Sequence, residues 1–192
     1  MHIKNVSLQQ IAVTPEQFCY DLPQIVFAGR SNVGKSSLLR ALVQRKKLVR
    51  VGKTPGVTQS INFFRINDAF YFVDLPGYGF AKTPKKIQIH WQDLIEKYFK
   101  ESINIRTVVF LLDIRHEPTE KDRLFFDWAK SHNLQVMIVA TKADKVSNNI
   151  ATTNRQRIVR QFGIEESKCI LFSAMNGTGR NAVLSAIQTA LG

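Results

Sequence analysis

Gly29-Arg30-Ser31-Asn32-Val33-Gly34-Lys35-Ser36 has the form G-x-x-x-x-G-K-S, and Ser37 follows it. These residue types at this spacing can hold phosphate. Glycines let the backbone wrap closely around an anion. The loop N–H groups and the N-terminus of a following helix favour negative charge. In such a loop the Lys35 ammonium reaches β- and γ-phosphates, and the Ser36 hydroxyl ligates Mg²⁺. The chemistry implied is binding of a nucleoside triphosphate.

Three further runs could complete such a site. Asp74-Leu75-Pro76-Gly77 stands 38 residues after Ser36. Its aspartate can hold Mg²⁺ through water, and Gly77 lets a backbone N–H approach a γ-phosphate. D-x-x-G alone often marks a plain turn; this distance after a phosphate loop gives it meaning. In Thr141-Lys142-Ala143-Asp144 the carboxylate can accept from the N1–H and 2-amino group of guanine, donors that adenine lacks in that arrangement. The Lys142 stem can lie along the base plane. In Phe172-Ser173-Ala174 the Ala174 N–H can donate to guanine O6. Without the phosphate loop, T-K-x-D reads as a surface charge pair, and S-A carries the least information.

Hydrophobic periodicity supplies the elements that must position these residues. Continuous apolar runs predict buried strands at residues 24–28, 107–112 and 135–140, and 169–172 reads as a short strand. Residues 61–66 and 69–73 read as two strands joined at Asn67-Asp68. Helical spacing predicts helices over residues 34–43, 84–100, 119–132, 149–162 and 179–191. Thr119 with Asp122 resembles a capping box with Asp in place of Glu. The stretch 3–13 alternates weakly, as an extended edge strand would. Residues 45–56 carry Arg45, Lys46, Lys47, Arg50 and Lys53 with no acid, then Thr54-Pro55-Gly56, and read as a basic loop. Residues 78–83 form a glycine-containing loop. Alternating strands and helices imply an α/β three-layer fold with a mainly parallel sheet, which binds ligands at the carboxyl ends of its strands. Every motif above falls there.

The 192 residues are enough for one domain with a real core. No apolar run approaches a membrane span, and the first residues lack a signal-peptide pattern, so a cytoplasmic protein without membrane contact is expected. Cys19 and Cys169 lie far apart and read as buried thiols. His2, His90, His116 and His132 have no metal-ligand spacing. Charge is more informative: 27 Lys plus Arg against 15 Asp plus Glu give a net +12. Nucleotide phosphates alone do not call for so much, and a polyanionic partner such as nucleic acid is expected.

The phosphate loop, a loop threonine, D-x-x-G, T-K-x-D and S-A occur in one order along one domain. This resembles the small GTP-binding domain of translation-factor-related GTPases. Within that group, G-R-S-N-V-G-K-S-S, T-P-G-V-T-Q-S-I-N-F-F, D-L-P-G-Y-G-F-A and L-L-D-I-R-x-x-P-T-x-x-D resemble the EngB family of bacterial ribosome-biogenesis GTP-binding proteins, over nearly the whole chain. The resemblance implies a Ras-like G domain over residues 23–192 with a six-stranded core, preceded by an N-terminal extension, 1–22, packed on it. It implies binding of GTP and GDP with Mg²⁺, and a role in assembling the large (50S) ribosomal subunit that is linked to cell division and growth. It gives Thr58 as the switch threonine that closes on Mg²⁺ and γ-phosphate, beside Gly56 and Val57, with Thr54 as its rival. The metal ligands are then Ser36, Thr58 and Asp74.

Three departures from the commonest GTPase pattern matter. N-K-x-D is here T-K-A-D, so the asparagine's tether to the phosphate loop is lost or replaced by the Thr141 hydroxyl. Tyr78 stands where Ras-type enzymes carry the glutamine that orients water, which implies slow intrinsic hydrolysis. Asn32 lies where some related GTPases use asparagine to hold K⁺ beside the phosphates; it reads equally as a turn residue. The catalytic set is therefore Lys35, Thr58, Gly77 and Asn32. GTP and Mg²⁺ are expected to order the loops around Thr58 and Gly77, bringing the basic loop and Lys82, Lys85 and Lys86 to one face suited to ribosomal RNA. Phe63, Phe64 and Tyr78 would add stacking surface if exposed, although the phenylalanines also suit a core. A monomer is expected. A P-loop nucleotide or small-molecule kinase is the alternative, with a non-hydrolysing scaffold as a third reading.

Overall fold

The computed structural model describes residues 1–44, 60–78 and 85–192, with side chains in the last stretch from residue 92 onward. Within these, strands β1 (Val6–Ala12), β2 (Gln24–Gly29), β3 (Ile61–Ile66), β4 (Phe70–Asp74), β5 (Ile105–Asp113), β6 (Val136–Thr141) and β7 (Cys169–Leu171) build one seven-stranded sheet. The α-helices are α1 (Lys35–Val43), α2 (Lys85–Glu101), α3 (Glu120–Ser131), α4 (Asn148–Phe162) and α5 (Arg180–Leu191). The strand order is β1-β3-β4-β2-β5-β6-β7. β4, β2, β5, β6 and β7 run parallel, whereas β3 is antiparallel to β4 and β1 antiparallel to β3. The expected six core strands are present, and the weakly alternating N-terminal stretch adds a seventh at the edge. It does so because an antiparallel edge strand needs only one apolar face.

The continuous apolar runs follow from the two-sided cover. On one face Val26, Ala28, Val108, Phe110, Leu112, Ile138 and Ala140 meet Leu94 and Tyr98 of α2, Phe126 of α3, and Ile158 and Phe162 of α4. On the other, Ile25, Phe27, Val109, Leu111, Met137 and Val139 meet Leu38 and Leu42 of α1 and Val183 and Ile187 of α5. Alternate residues of each central strand thus enter opposite cores, as the two-residue period requires. Phe63 and Phe64 go one to each core and are buried. They offer no stacking surface for RNA.

Predicted and observed elements agree within three residues at each end. Helix ends carry local reasons. The Asp122 carboxylate accepts the Thr119 N–H at the start of α3 at 2.7 Å, the reciprocal half of the expected capping box. Ser147 caps α4 through the Ile150 N–H, and Gly163 ends that helix at φ +59°. No described helix is long and apolar enough to cross a membrane.

Register levels the functional ends. Phe27 pairs with Asp74, Gly29 with Leu111, and Asp113 with Thr141. The carboxyl ends of β2, β4, β5 and β6 therefore reach one edge together. The helix after β2 covers one face and the helices after β4 and β5 the other, so a crevice lies at the end of β2.

Candidate nucleotide-binding site

The loop between β2 and α1 occupies that crevice. Asn32 has φ +62° and Gly34 φ +109°, two bends of left-handed type on either side of Val33. Asparagine and glycine are the residues that enter this region at least cost, so Asn32 has a turn role in the fold. Lys35, first residue of α1, pairs with Asp74 at the end of β4. The ammonium expected on phosphates and the carboxylate expected near Mg²⁺ thus sit together, each largely shielded. Ser36 follows in the first turn of the same helix. A hydroxyl and a carboxylate are oxygen donors of the kind a hard divalent cation takes, with water filling the rest; these two fit Mg²⁺.

Gly77 packs directly on the phosphate loop. A Cβ there would stand 3.0 Å from both Cα and N of Ser31, so glycine suits the close approach. The next residue locks the contact: the Ser31 N–H donates to the Tyr78 carbonyl at 2.9 Å, and the Tyr78 N–H to the Gly29 carbonyl at 3.3 Å. The Tyr78 phenol points away from the loop. It donates to Asp122 Oδ1 at 2.7 Å, and its ring stacks on Phe125. Burial foremost, then the Asp122 charge, pushes this phenol far above its ordinary range. Tyr78 is neither a water-orienting group nor an exposed stacking surface.

The T-K-A-D run ties the far side of the loop. The Thr141 hydroxyl lies 2.5 Å from the Val33 carbonyl and 3.0 Å from that of Leu112. Its single proton serves one at a time, yet it replaces the missing asparagine tether. Lys142 Nζ donates to the Asn32 carbonyl and to Asp113 Oδ2, both at 2.8 Å. Asp113 also receives Arg115 through both carboxylate oxygens, at 2.9 and 2.8 Å. Burial opposes charge on this carboxyl, but the Arg115 and Lys142 hydrogen bonds outweigh it and hold it at about 2. Asp113 and Asp122 both stand in the L-L-D-I-R-x-x-P-T-x-x-D run, but that run alone gave neither a place beside the phosphate loop. Asp113 could have been found as the strand-end acid level with Thr141; Asp122 was otherwise visible only as a helix cap.

The end expected to read the base is built by β7 and its exit. Ser173, fully buried, donates from Oγ to Asp144 Oδ1 at 2.6 Å. The same oxygen accepts the N–H groups of Met175 and Asn176 at 3.1 and 3.4 Å. Phe172 contributes its carbonyl, which accepts the Ala143 N–H at 3.0 Å. This Ser173 hydrogen bond lowers the Asp144 pKa, keeping a charged acceptor in a fixed orientation. Ala174 follows on the exposed turn, where its N–H has no partner among the described residues. A cleft of about 250 Å³ runs behind the loop between Asn32 and Asp113.

Gly29, Arg30, Ser31, Asn32, Val33, Gly34, Lys35, Ser36, Ser37, Asp74, Leu75, Pro76 and Gly77 thus meet at one edge of the sheet, some of them buried, beside Thr141–Asp144 and Phe172–Ala174. Thr54, Gly56, Val57 and Thr58 lie outside the described residues, as do Arg45, Lys46, Lys47, Arg50, Lys53 and Lys82. Lys85 and Lys86 open α2.

The chain is similar to known GTP-binding proteins. Residues 24–142 match a family described as 50S ribosome-binding GTPase. A relative from Geobacter metallireducens, named probable GTP-binding protein EngB, is 47% identical over 171 residues, 89% of this chain and 84% of its own. One of the same name from Thermoanaerobacter pseudethanolicus is 44% identical over 189 residues, 98% of each chain. The crystal structure of a probable GTP-binding protein engB superposes with a TM-score of 0.73 at 27% identity, covering 88% of this chain and 98% of that one.

Proposed function

This chain belongs to the EngB family of GTP-binding GTPases, and from that premise we propose that it is a slow, Mg²⁺-dependent GTP switch that binds ribosomal RNA or ribosomal precursors and assists assembly of the large ribosomal subunit. The kinase alternative falls with the family. One observation carries the guanine reading: Asp144 is charged and oriented by Ser173, while its neighbours Thr141 and Lys142 hold the phosphate loop. Base recognition and phosphate binding are thereby parts of one rigid unit.

The chain's own groups have definable tasks. Without phosphate, Lys35 and Asp74 neutralise one another. A triphosphate offers Lys35 a stronger partner and frees Asp74 to act, with Ser36, as a holder of Mg²⁺; Thr58 would be the third. Mg²⁺ supplies neutralisation of charge on the β- and γ-phosphate oxygens. Gly77 offers its N–H to the γ-phosphate. No side chain at position 78 orients water, since Tyr78 is committed to Asp122; hydrolysis is therefore slow unless K⁺ at Asn32 or a bound partner adds charge stabilisation.

The net charge of +12 supports a polyanionic partner, and the family description includes ribosome binding. The test is co-sedimentation of the full chain with 50S particles in GDP and in a non-hydrolysable GTP analogue across a salt series. Binding that favours the GTP state and falls as salt rises is expected. Equal, salt-insensitive binding in both states overturns the ribosomal reading.

A further inference from the structure

Tyr78 is fixed at three points, and only two belong to the phosphate loop. Its N–H and carbonyl zip onto Gly29 and Ser31, making a one-residue parallel bridge between Arg30 and Tyr78. The third point is the phenol, held 2.7 Å from Asp122 Oδ1 in the first turn of α3. Asp122 is 2% exposed. Its orientation does not depend on Tyr78, because Oδ2 accepts both the N–H and the hydroxyl of Thr119 at 2.7 Å. The N-terminus of α3 favours the negative charge there. Phe125, one turn further along α3, stacks on the Tyr78 ring at 5.9 Å with the planes 23° apart. The start of the loop after β4 is thus bolted to α3.

We propose that Asp122 is a positioning residue for γ-phosphate recognition: by holding the Tyr78 phenol it sets the Gly77 peptide against Ser31 before any nucleotide arrives. This rests on the GTP-switch reading above. A GTP-binding loop that starts free must lose its freedom when it meets the γ-phosphate, and that cost weakens GTP relative to GDP. A peptide already seated on the phosphate loop loses less. GDP lacks the group that Gly77 contacts, so Asp122 affects GTP selectively. The same tie joins α3 to the nucleotide state: whatever displaces the first turn of α3 loosens Gly77, and GTP binding steadies that turn in return.

The experiment uses the full chain with Mg²⁺. Affinities for GDP and for a non-hydrolysable GTP analogue are measured for wild type, Tyr78→Phe, Asp122→Asn and the double variant, with thermal midpoints taken free of nucleotide. Tyr78→Phe keeps the ring stack and removes only the hydroxyl, so it preserves folding if Asp122→Asn disturbs the helix cap. Each variant should bind the GTP analogue about tenfold more weakly, the size of one charge-assisted hydrogen bond. GDP affinity should stay within about twofold, and the double variant should be no worse than the more affected single one. An unchanged GTP-to-GDP ratio in Tyr78→Phe, or equal loss of both nucleotides, overturns the proposal. Wild-type protein that binds no guanine nucleotide overturns the GTP reading itself, and the proposal with it.

Discussion

Asp144 is the residue proposed to set base choice. Asp144→Asn removes a charged acceptor that Ser173 has already oriented, and GTP affinity should fall by about 10–100-fold, the cost of a hydrogen bond to a charged group. Xanthine nucleotides, which present an acceptor where guanine presents its amino group, should gain; competition binding with both bases reads this directly. Asp113 makes a different prediction, about pH. Its carboxyl sits at about 2 in the fold, against about 3.9 in an unfolded chain. A depressed pKa gives stability that is complete above about pH 4 and fades as the pH falls toward 2. Asp113→Asn should be the less stable protein at neutral pH, and its urea midpoint should vary less than wild type between about pH 4 and 2. The placement of Gly34, Lys35 and Asp144 at one edge of the sheet was legible because each sits in a short run at the end of a predicted strand. The contacts of Asp113 and Asp122 were not. Their partners are Lys142, 29 residues away, and Tyr78, 44 away, and no local pattern announces such a meeting.

The elements follow their own signals closely, because strand and helix periods are set by burial on one face or two. β2, β5 and β6 were readable as unbroken apolar runs since helices cover both their faces. Ends were less so: α4 begins at Asn148 rather than 149 because Ser147 caps it, a signal weaker than the Thr119 and Asp122 pair of α3. Ser147→Ala should cost about 1 kcal/mol of stability, measured by urea denaturation, and leave nucleotide affinity unchanged. Gly77→Ala should behave in the opposite way. A methyl placed 3.0 Å from the Ser31 backbone is a tight contact that the segment after β4 or the phosphate loop must relieve by shifting a few tenths of an ångström. GTP-analogue binding and GTP turnover should drop sharply, with GDP binding less affected; stopped-flow association of the two nucleotides separates the effects.

For the molecule as a whole, the phosphate loop is clamped from three sides: Lys35 to Asp74, Ser31 to Tyr78, and the Val33 and Asn32 carbonyls to Thr141 and Lys142. Folding and nucleotide binding are therefore linked. Saturation with Mg²⁺ and GDP at about 100 times Kd should add about 2.7 kcal/mol of stability, raising the thermal midpoint by about 5–10 °C for a chain of this size. The clamp also has a consequence for synthesis. The loop leaves the ribosome first, but Thr141, which holds its far side with Lys142, follows 108 residues after Val33. β1 likewise waits for β3 before its edge is paired. A nascent chain halted before β6 has every residue of the phosphate loop and none of its far clamps. It should fail to retain GDP, whereas one extended far enough for α5 to emerge and pack should hold it. Nucleotide capture is then a late event in the life of the new chain, and guanine nucleotide retained on stalled chains of graded length would time the completion of the fold.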